Sequence, residues 1–397
     1  MDKADELVAR GADRHRAGRL AEAESHYRRA LRLNPNHPDA LNLLGVALRS
    51  RGLLREGLEH SARAVALAPN HPLMLANYGA GLAEAGKLDQ AIEVMRAALA
   101  RAPADAMTWR NLGQALVAKG EPRAAQEPLL TAAKLTPEAP EIWLALAHAH
   151  ADAGEPVGAR AAAQAALASA GRDRAAAEQA RFMLAALGEG EPPGRAPAGY
   201  VKQLFDQFAP RFDAELEGRL AYRTPALLAE AIGAVRPPQG TLAVLDLGCG
   251  TGLSGVALKP FARRLEGVDL SPRMLDAARE KGLYSALHEA DLLAFLPTRR
   301  AGYDVIAAAD VLNYLGDLAP ALAAMRAALK PGGLAGFSLE VGDVAPFSLG
   351  AGMRYRHEPA SARATAEAAG FAVLSEARVT LREERGDPVA GLLLVLR

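Results

Sequence analysis

The sequence has a single cysteine, Cys249, among its 397 residues, so no intrachain disulfide can form and a reducing compartment is favoured. Charge of one sign is also missing, since 46 basic residues face 46 acidic ones. The balance holds on both sides of residue 188, which argues against sequence-independent nucleic-acid binding, a mode that depends on neutralising phosphates. Aromatic residues make up only 5%, yet half of the residues are apolar, enough to build cores rather than a disordered chain. No apolar run approaches membrane-spanning length, and the opening Met1-Asp-Lys-Ala-Asp-Glu6 has no signal-peptide pattern. Metal-ligand clusters are missing too. His148 and His150 lie two apart on a helix and point to different faces, so no metal site is expected. These absences point to a cytoplasmic protein of two or three domains, with neither membrane nor nucleic acid among its partners.

What the first half does have is a period. Gly18, Gly52, Gly86, Gly120 and Gly154 are each 34 residues apart, and Pro35, Pro69, Pro103 and Pro137 keep the same step. So do Ala30, Ala64, Ala98, Ala132 and Ala166, and the glycines Gly11, Gly45, Gly79 and Gly113, a series that Ala147 completes. Small residues let paired helices approach, while Leu41, Leu48, Trp109 and Trp143 are expected to fill between them. The mid-repeat glycine ends the first helix of each pair and the proline stops the second. This is the tetratricopeptide (TPR) signature, five repeats over about residues 4–173, followed by a helical stretch from Asp173 to Leu187 suited to cap the stack. Such a solenoid has a concave groove usually used for peptides. Asn77 and Asn111 share one repeat position and resemble the asparagine ladder of the TPR region in protein O-GlcNAc transferases, where amides hydrogen-bond a peptide backbone. Solvated surface amides remain the competing reading of this pair.

The glycine-, proline- and charge-rich stretch Gly188 to Ala198 reads as a linker, dividing a TPR solenoid (1–188) from a second domain (199–397), with the linker at 189–198. Beyond it, Leu204, Phe205, Phe208 and Phe212 recur at helical spacing, a stripe that more often builds core than a cofactor site. Further on, the apolar run Leu242 to Leu247 lacks helical spacing and follows the turn Pro237-Pro-Gln-Gly240, so it predicts a buried parallel strand. Gly248, Gly250 and Gly252 follow, then a helix start at Leu253. A strand, a glycine loop and a helix form the nucleotide-type cradle of a doubly wound sheet. A dinucleotide fingerprint would need glycine where Leu253 stands, which weighs against a nicotinamide-dependent oxidoreductase.

Asp246-Leu-Gly-Cys-Gly-Thr-Gly252 resembles motif I of class I S-adenosylmethionine (SAM) dependent methyltransferases. That resemblance covers essentially all of residues 200–397. It implies a Rossmann-like, doubly wound seven-stranded α/β sheet of order 3-2-1-4-5-7-6 with the last strand antiparallel. It also implies SAM as cofactor, with Asp246, Gly248, Cys249, Gly250 and Gly252 in the cradle. The segment Tyr200 to Asp213 resembles the part of small-molecule methyltransferases that covers the SAM pocket as a lid. Asp269 ends the second strand about twenty residues past the loop, where a carboxylate can accept from two ribose hydroxyls, and Leu270 would flank the adenine. His288-Glu-Ala-Asp-Leu292 looks like the third-strand motif, with Asp291 accepting from the adenine amine and the Leu292 N–H donating to the ring. Tyr222 and Arg223 could reach the SAM carboxylate, while for Arg223 a surface ion pair is equally open. Lys330-Pro-Gly-Gly333, between a helix and a strand, is a further motif of the family.

Asp310, Asn313 and Tyr314 stand at the carboxyl end of the fourth strand, the edge where open α/β sheets bind ligands. The expected activity is SAM-dependent methyl transfer to an undetermined acceptor, with the repeats binding a protein or peptide partner or the substrate itself. A catalytically idle methyltransferase-fold scaffold in a TPR-organised complex is the alternative. Candidates for a general base are Asp310, Tyr314, Glu340 and His357, and no motif chooses among them. Arg354-Tyr-Arg-His357 is either a substrate-facing or a plain solvated loop.

Overall fold

The computed structural model describes residues 2–218, 222–384 and 386–397. Two compact units divide the chain, Met1–Ala180 and Arg181–Arg397. No helix among the described residues is long and apolar enough to cross a membrane.

The first unit is helical. Its pairs are Lys3–Arg16 (α1) with Leu20–Leu33 (α2), Pro38–Ser50 (α3) with Leu54–Leu67 (α4), and Pro72–Glu84 (α5) with Leu88–Leu99 (α6). Ala106–Lys119 (α7) with Pro122–Leu135 (α8), and Pro140–Asp152 (α9) with Pro156–Ser169 (α10), complete the series. Proline opens α3, α5 and α9, where its fixed φ suits a first turn and its missing N–H leaves nothing unsatisfied. Gly120 ends α7 in the left-handed region at φ 87°, and Gly18, Gly52, Gly86 and Gly154 hold the same conformation in their own turns.

The second glycine series has a different cause. A Cβ on Gly11 would lie 2.4 Å from the Tyr27 ring, and one on Gly45 would lie 2.3 Å from Ser61 Oγ. Gly79 and Gly113 meet Met95 and Leu129 in the same way, so each glycine receives a side chain from sixteen residues further on. Leu41 and Leu48 are fully buried as expected. The tryptophans differ from expectation. Both are only half-buried, and each indole N–H donates to the carbonyl of the proline six residues earlier, Trp109 to Pro103 at 2.8 Å and Trp143 to Pro137 at 3.0 Å. They brace the turn between repeats. Asn77 Nδ2 donates to Asn42 Oδ1 at 3.1 Å, and Asn111 Oδ1 lies 3.5 Å from Arg110 Nη2.

Arg174–Ala186 (α11) contains the division between the units. Its Ala176, Ala177 and Ala180 pack with Leu144, Ala166 and Ala170 of the first unit. The second unit continues with Ala198–Phe208 (α12), Phe212–Gly218 (α13) and Thr224–Val235 (α14). The stretch expected as a free linker is hydrogen-bonded into this unit. Gly194 O accepts from Gly316 N and Asp317 N at 2.9 Å each, Ala196 N donates to Tyr314 O at 2.9 Å, and the Tyr355 hydroxyl donates to Pro193 O.

A mixed sheet follows, with strands Leu242–Leu247 (β1), Ala262–Asp269 (β2), Ala286–Glu289 (β3), Tyr303–Ala308 (β4) and Leu329–Val341 (β5). Phe347–Leu349 (β6), Tyr355–His357 (β7), Val373–Glu384 (β8) and Asp387–Leu396 (β9) complete it. The order β3-β2-β1-β4-β5 is parallel, β9 runs antiparallel along β5, and β8 pairs with β9. Without the short β6–β7 hairpin, which joins β5 at Glu340 and Val341, this is the expected seven-strand order with its last strand antiparallel. Lys330–Gly333 loops out of register, since Tyr303 faces Leu329 while Val305 already faces Leu334.

Leu253–Leu258 (α15), Pro272–Glu280 (α16), Leu292–Phe295 (α17), Ala319–Ala328 (α18) and Pro359–Ala368 (α19) connect the strands. Period-two alternation sorts the core. Val244, Val305, Leu393 and Val395 face α14, while Leu245, Ile306, Leu392 and Leu394 face α18 and α19. Both faces are therefore covered, as a largely parallel sheet requires.

Candidate functional site

The glycine loop is pinned to the neighbouring strand. Gly248 N and Cys249 N both donate to Val268 O, at 2.8 and 3.1 Å, and Gly250 N donates to Asp269 Oδ2 at 2.9 Å. A Cβ on Gly248 would fall 2.4 Å from Val311, and its φ of 67° is itself unfavourable for an L side chain. Beneath the loop lies Asp246, fully buried, whose Oδ2 accepts from Ser254 Oγ at 2.7 Å and the Tyr284 hydroxyl at 2.6 Å. Its Oδ1 has no hydrogen-bond partner, and burial pushes the carboxyl up to about 6.

Over the carboxyl ends of β1, β2 and β4 opens a cavity of about 310 Å³. Its lining includes Gly248, Gly250, Val268, Asp269, Leu270, Ala290, Asp291 and Leu292, together with Phe205, Phe208, Phe212, Tyr222, Asp310, Asn313, Tyr314, Arg354, Arg382 and Glu384. The aromatic rings support one another edge to face, Phe205 with Tyr314 at 5.6 Å and Phe208 with Phe212 at 5.3 Å. Asp213 on α13 accepts from Thr251 Oγ1 and, at 2.6 Å, from Lys281 Nζ, which ties that aromatic wall to the glycine loop. The stripe read as core thus also walls the cavity.

Most of the expected cofactor residues meet at this cavity. Asp246, Cys249 and Gly252 stand outside its lining: Asp246 and Cys249 are buried beneath the loop, and Gly252 caps α15. Arg223 is exposed and also outside the lining, whereas Tyr222 beside it faces in. Asp291 caps α17 by accepting from Leu293 N at 2.8 Å, and its other oxygen pairs with Arg195.

The four base candidates separate. Asp310 and Tyr314 line the cavity, and Glu340 lies buried behind it in contact with Arg354 and Arg382. His357 belongs to β7, outside the lining, with Nε2 against Gly316 O at 3.2 Å. Burial lowers its affinity for a proton and raises that of Asp310 and Tyr314.

Asp310 has a left-handed φ of 56° and a crowded carboxylate. Oδ1 accepts from Ser338 Oγ at 3.1 Å and Asn313 Nδ2 at 3.3 Å, and Oδ2 from Thr224 Oγ1 at 3.1 Å and Arg382 Nη1 at 3.4 Å. The Tyr222 hydroxyl also bonds this carboxylate, so donors crowd the positions that it offers.

Sequence reasoning misses Arg382, Glu384 and Arg195 altogether, and leaves Arg354 undecided. Arg382 joins Glu340, Asp310 and Glu384, the last at 2.8 Å, while Arg354 reaches Glu340 at 2.6 Å and also Glu384. Burial alone would raise the Glu384 carboxyl, but the two guanidiniums outweigh it and hold it below its ordinary value. The alternation Ala377, Val379, Leu381 is the signal that extends β8 to this network.

The residues present fit an adenosyl cofactor. Asp269 accepts one backbone N–H on each oxygen, from Gly250 and from Ser271 at 2.8 Å. The Leu270 N–H bears on it as well, and the carboxylate lines the cavity, where its remaining acceptor capacity suits a ribose hydroxyl.

A family model described as a methyltransferase domain matches residues 244–333, and a tetratricopeptide repeat model matches residues 8–72, 73–125 and 110–177. The chain is similar to human methyltransferase-like protein 27, at 38% identity over 86 residues, 21% of this chain and 35% of that protein. It is similar to a ubiquinone biosynthesis O-methyltransferase of Xylella fastidiosa, at 36% identity over 105 residues, 25% of this chain and 42% of that protein. The chain therefore spans less than half the length of these relatives. A solved S-adenosylmethionine dependent methyltransferase from Mesorhizobium loti aligns at 24% identity and a TM-score of 0.34, over 42% of this chain and 96% of that one.

Proposed function

We propose that this chain, which carries tetratricopeptide repeats followed by a methyltransferase domain, transfers a methyl group from S-adenosylmethionine to an acceptor held against the aromatic lining of the cavity. The observation that carries the proposal is Asp269, a carboxylate held by Gly250 N and Ser271 N that lines, beside Gly248 and Gly250, the same cavity as Asp310 and Tyr314. When bound, SAM supplies a methyl group already activated by its sulfonium. Asp269 holds the ribose, Leu270 flanks the purine, Asp291 accepts from its amino group and the Leu292 N–H donates to the ring. Phe205, Phe208 and Phe212 exclude water from the acceptor side.

Asp310 acts by orienting the groups around it rather than as a base, because donors crowd its acceptor positions. Alignment and exclusion of water are then the main contributions of the protein, and proximity alone supplies several kcal/mol in such reactions, roughly 7–11 at best. The repeats bind a protein or peptide partner, with Asn77 and Asn111 as candidate contacts. Asn77 spends one N–H on Asn42 and keeps its carbonyl and second N–H for a ligand. Incubating the full chain and its Asp269→Ala variant with methyl-labelled SAM and cell extract tests the activity. Label should pass to an acceptor with the unaltered chain and fall sharply with the variant. Equal labelling by both would refute the assignment.

A further inference from the structure

The segment between the repeats and α12 does more than connect. Its backbone is held at four points, by Gly316 N and Asp317 N on Gly194 O, by Ala196 N on Tyr314 O, and by the Tyr355 hydroxyl on Pro193 O. Arg195 also bridges Leu315 strand-to-strand. A side chain leaving so anchored a backbone is presented rather than free, and Arg195 pairs with the Oδ2 of Asp291, both residues lining the cavity.

The other oxygen of Asp291 is committed to capping α17 through Leu293 N. With one oxygen fixed by the helix and the other by a guanidinium, the plane of the carboxylate is set. Without Arg195 only the helix cap would restrain it, and Oδ2 could turn away from the cavity.

We infer that Arg195 is a positioning residue that sets purine selectivity: it orients Asp291 so that this carboxylate accepts from the exocyclic amino group of a bound adenine. The inference rests on the proposed SAM reading. It places a determinant of cofactor choice 49 residues ahead of Val244, where the matched methyltransferase region begins. The adenosyl group would be read partly by chain that looks, from composition, like a spacer.

The test compares two ligands by calorimetry on the full chain, S-adenosylhomocysteine and its 6-desamino analogue, which has purine in place of adenine. The unaltered chain should prefer the adenosyl compound. Arg195→Ala should weaken the adenosyl compound by roughly two- to fivefold, the range of a half-exposed ion pair, and leave the desamino compound unchanged. Arg195→Lys should keep part of the preference. In an Asp291→Ala background, Arg195→Ala should change nothing further, because the residue acts through that carboxylate. Equal weakening of both ligands would make Arg195 a plain wall and overturn the inference, as would an unchanged preference. Failure of the unaltered chain to bind either ligand would overturn the SAM reading itself, and the inference with it.

Discussion

Replacing Glu340 with alanine removes the carboxylate that Arg354 and Arg382 share on one oxygen and that Arg356 approaches on the other at 3.9 Å. Glu340 is 2% exposed, Arg354 Nε approaches it at 2.6 Å, and Arg382 pairs with the same oxygen. Breaking a buried pair costs about 3–5 kcal/mol when the surviving charge is left without a partner. Arg382 keeps Glu384 at 2.8 Å and Asp310 at 3.4 Å, so the lower end applies, about 3 kcal/mol. For a unit of this size each kcal/mol moves Tm by about 2–4 °C, which gives a fall of about 6–12 °C. Glu340→Gln keeps the volume and an acceptor oxygen and should lose about half as much.

The assay can separate the two units. Both tryptophans, Trp109 and Trp143, lie in the first unit, so indole fluorescence follows the repeats while circular dichroism follows the whole chain. The dichroism transition of the second unit should move and the fluorescence transition should not. A loss below about 1 kcal/mol for Glu340→Ala would refute the claim that this carboxylate holds the network together. An equal shift in both signals would refute independent unfolding of the units.

Gly45→Ala should destabilise the repeats by about 1–3 kcal/mol in urea unfolding followed by tryptophan emission, since the new Cβ would sit 2.3 Å from Ser61 Oγ and 2.8 Å from the Gly57 carbonyl. An effect within about 0.3 kcal/mol would mean that the helix pair separates freely. Asp246 should give a pH signature. Its carboxyl rises from 3.8 to about 6 in the folded chain, so the stability it contributes is fully present below its unfolded pKa and is lost as pH climbs through 6. That loss is on the order of 3 kcal/mol between about pH 4 and 7. Asp246→Asn removes it, so the variant should gain on the parent by about that amount over the same interval, measured by urea unfolding at several pH values. A difference that does not change with pH would contradict the burial argument.

The repeats are legible in the sequence because their determinants are local. Gly45 and Ser61 meet within one helix pair, and the same spacing recurs in Gly79 with Met95. The parallel strands are legible through apolar runs such as Leu242–Leu247, and Asp269 through its distance from the glycine loop. Arg195 is not legible, because a stretch rich in glycine and proline has the composition of a spacer. Its order comes from carbonyls and amides about 120 residues away in sequence. Arg382 is hidden for a related reason. It lies on β8, while its partners Glu340 and Asp310 come from β5 and from the loop after β4. His357 is a base candidate in a segment that reads as a loop, and the pairing of β7 with β5 places it in the sheet, outside the cavity lining.

The central claim is that the second unit binds SAM through Asp269, and titration calorimetry of the full chain with SAM tests it most directly. Removing a charged acceptor of two ribose hydrogen bonds costs on the order of 2–4 kcal/mol, since such bonds are worth about 1.5–3 each and rarely add fully. The unaltered chain should therefore bind one SAM, and Asp269→Ala should bind it about 30-fold more weakly or worse under conditions where the variant is folded. Unchanged affinity in Asp269→Ala, or no binding by the unaltered chain, would contradict the account.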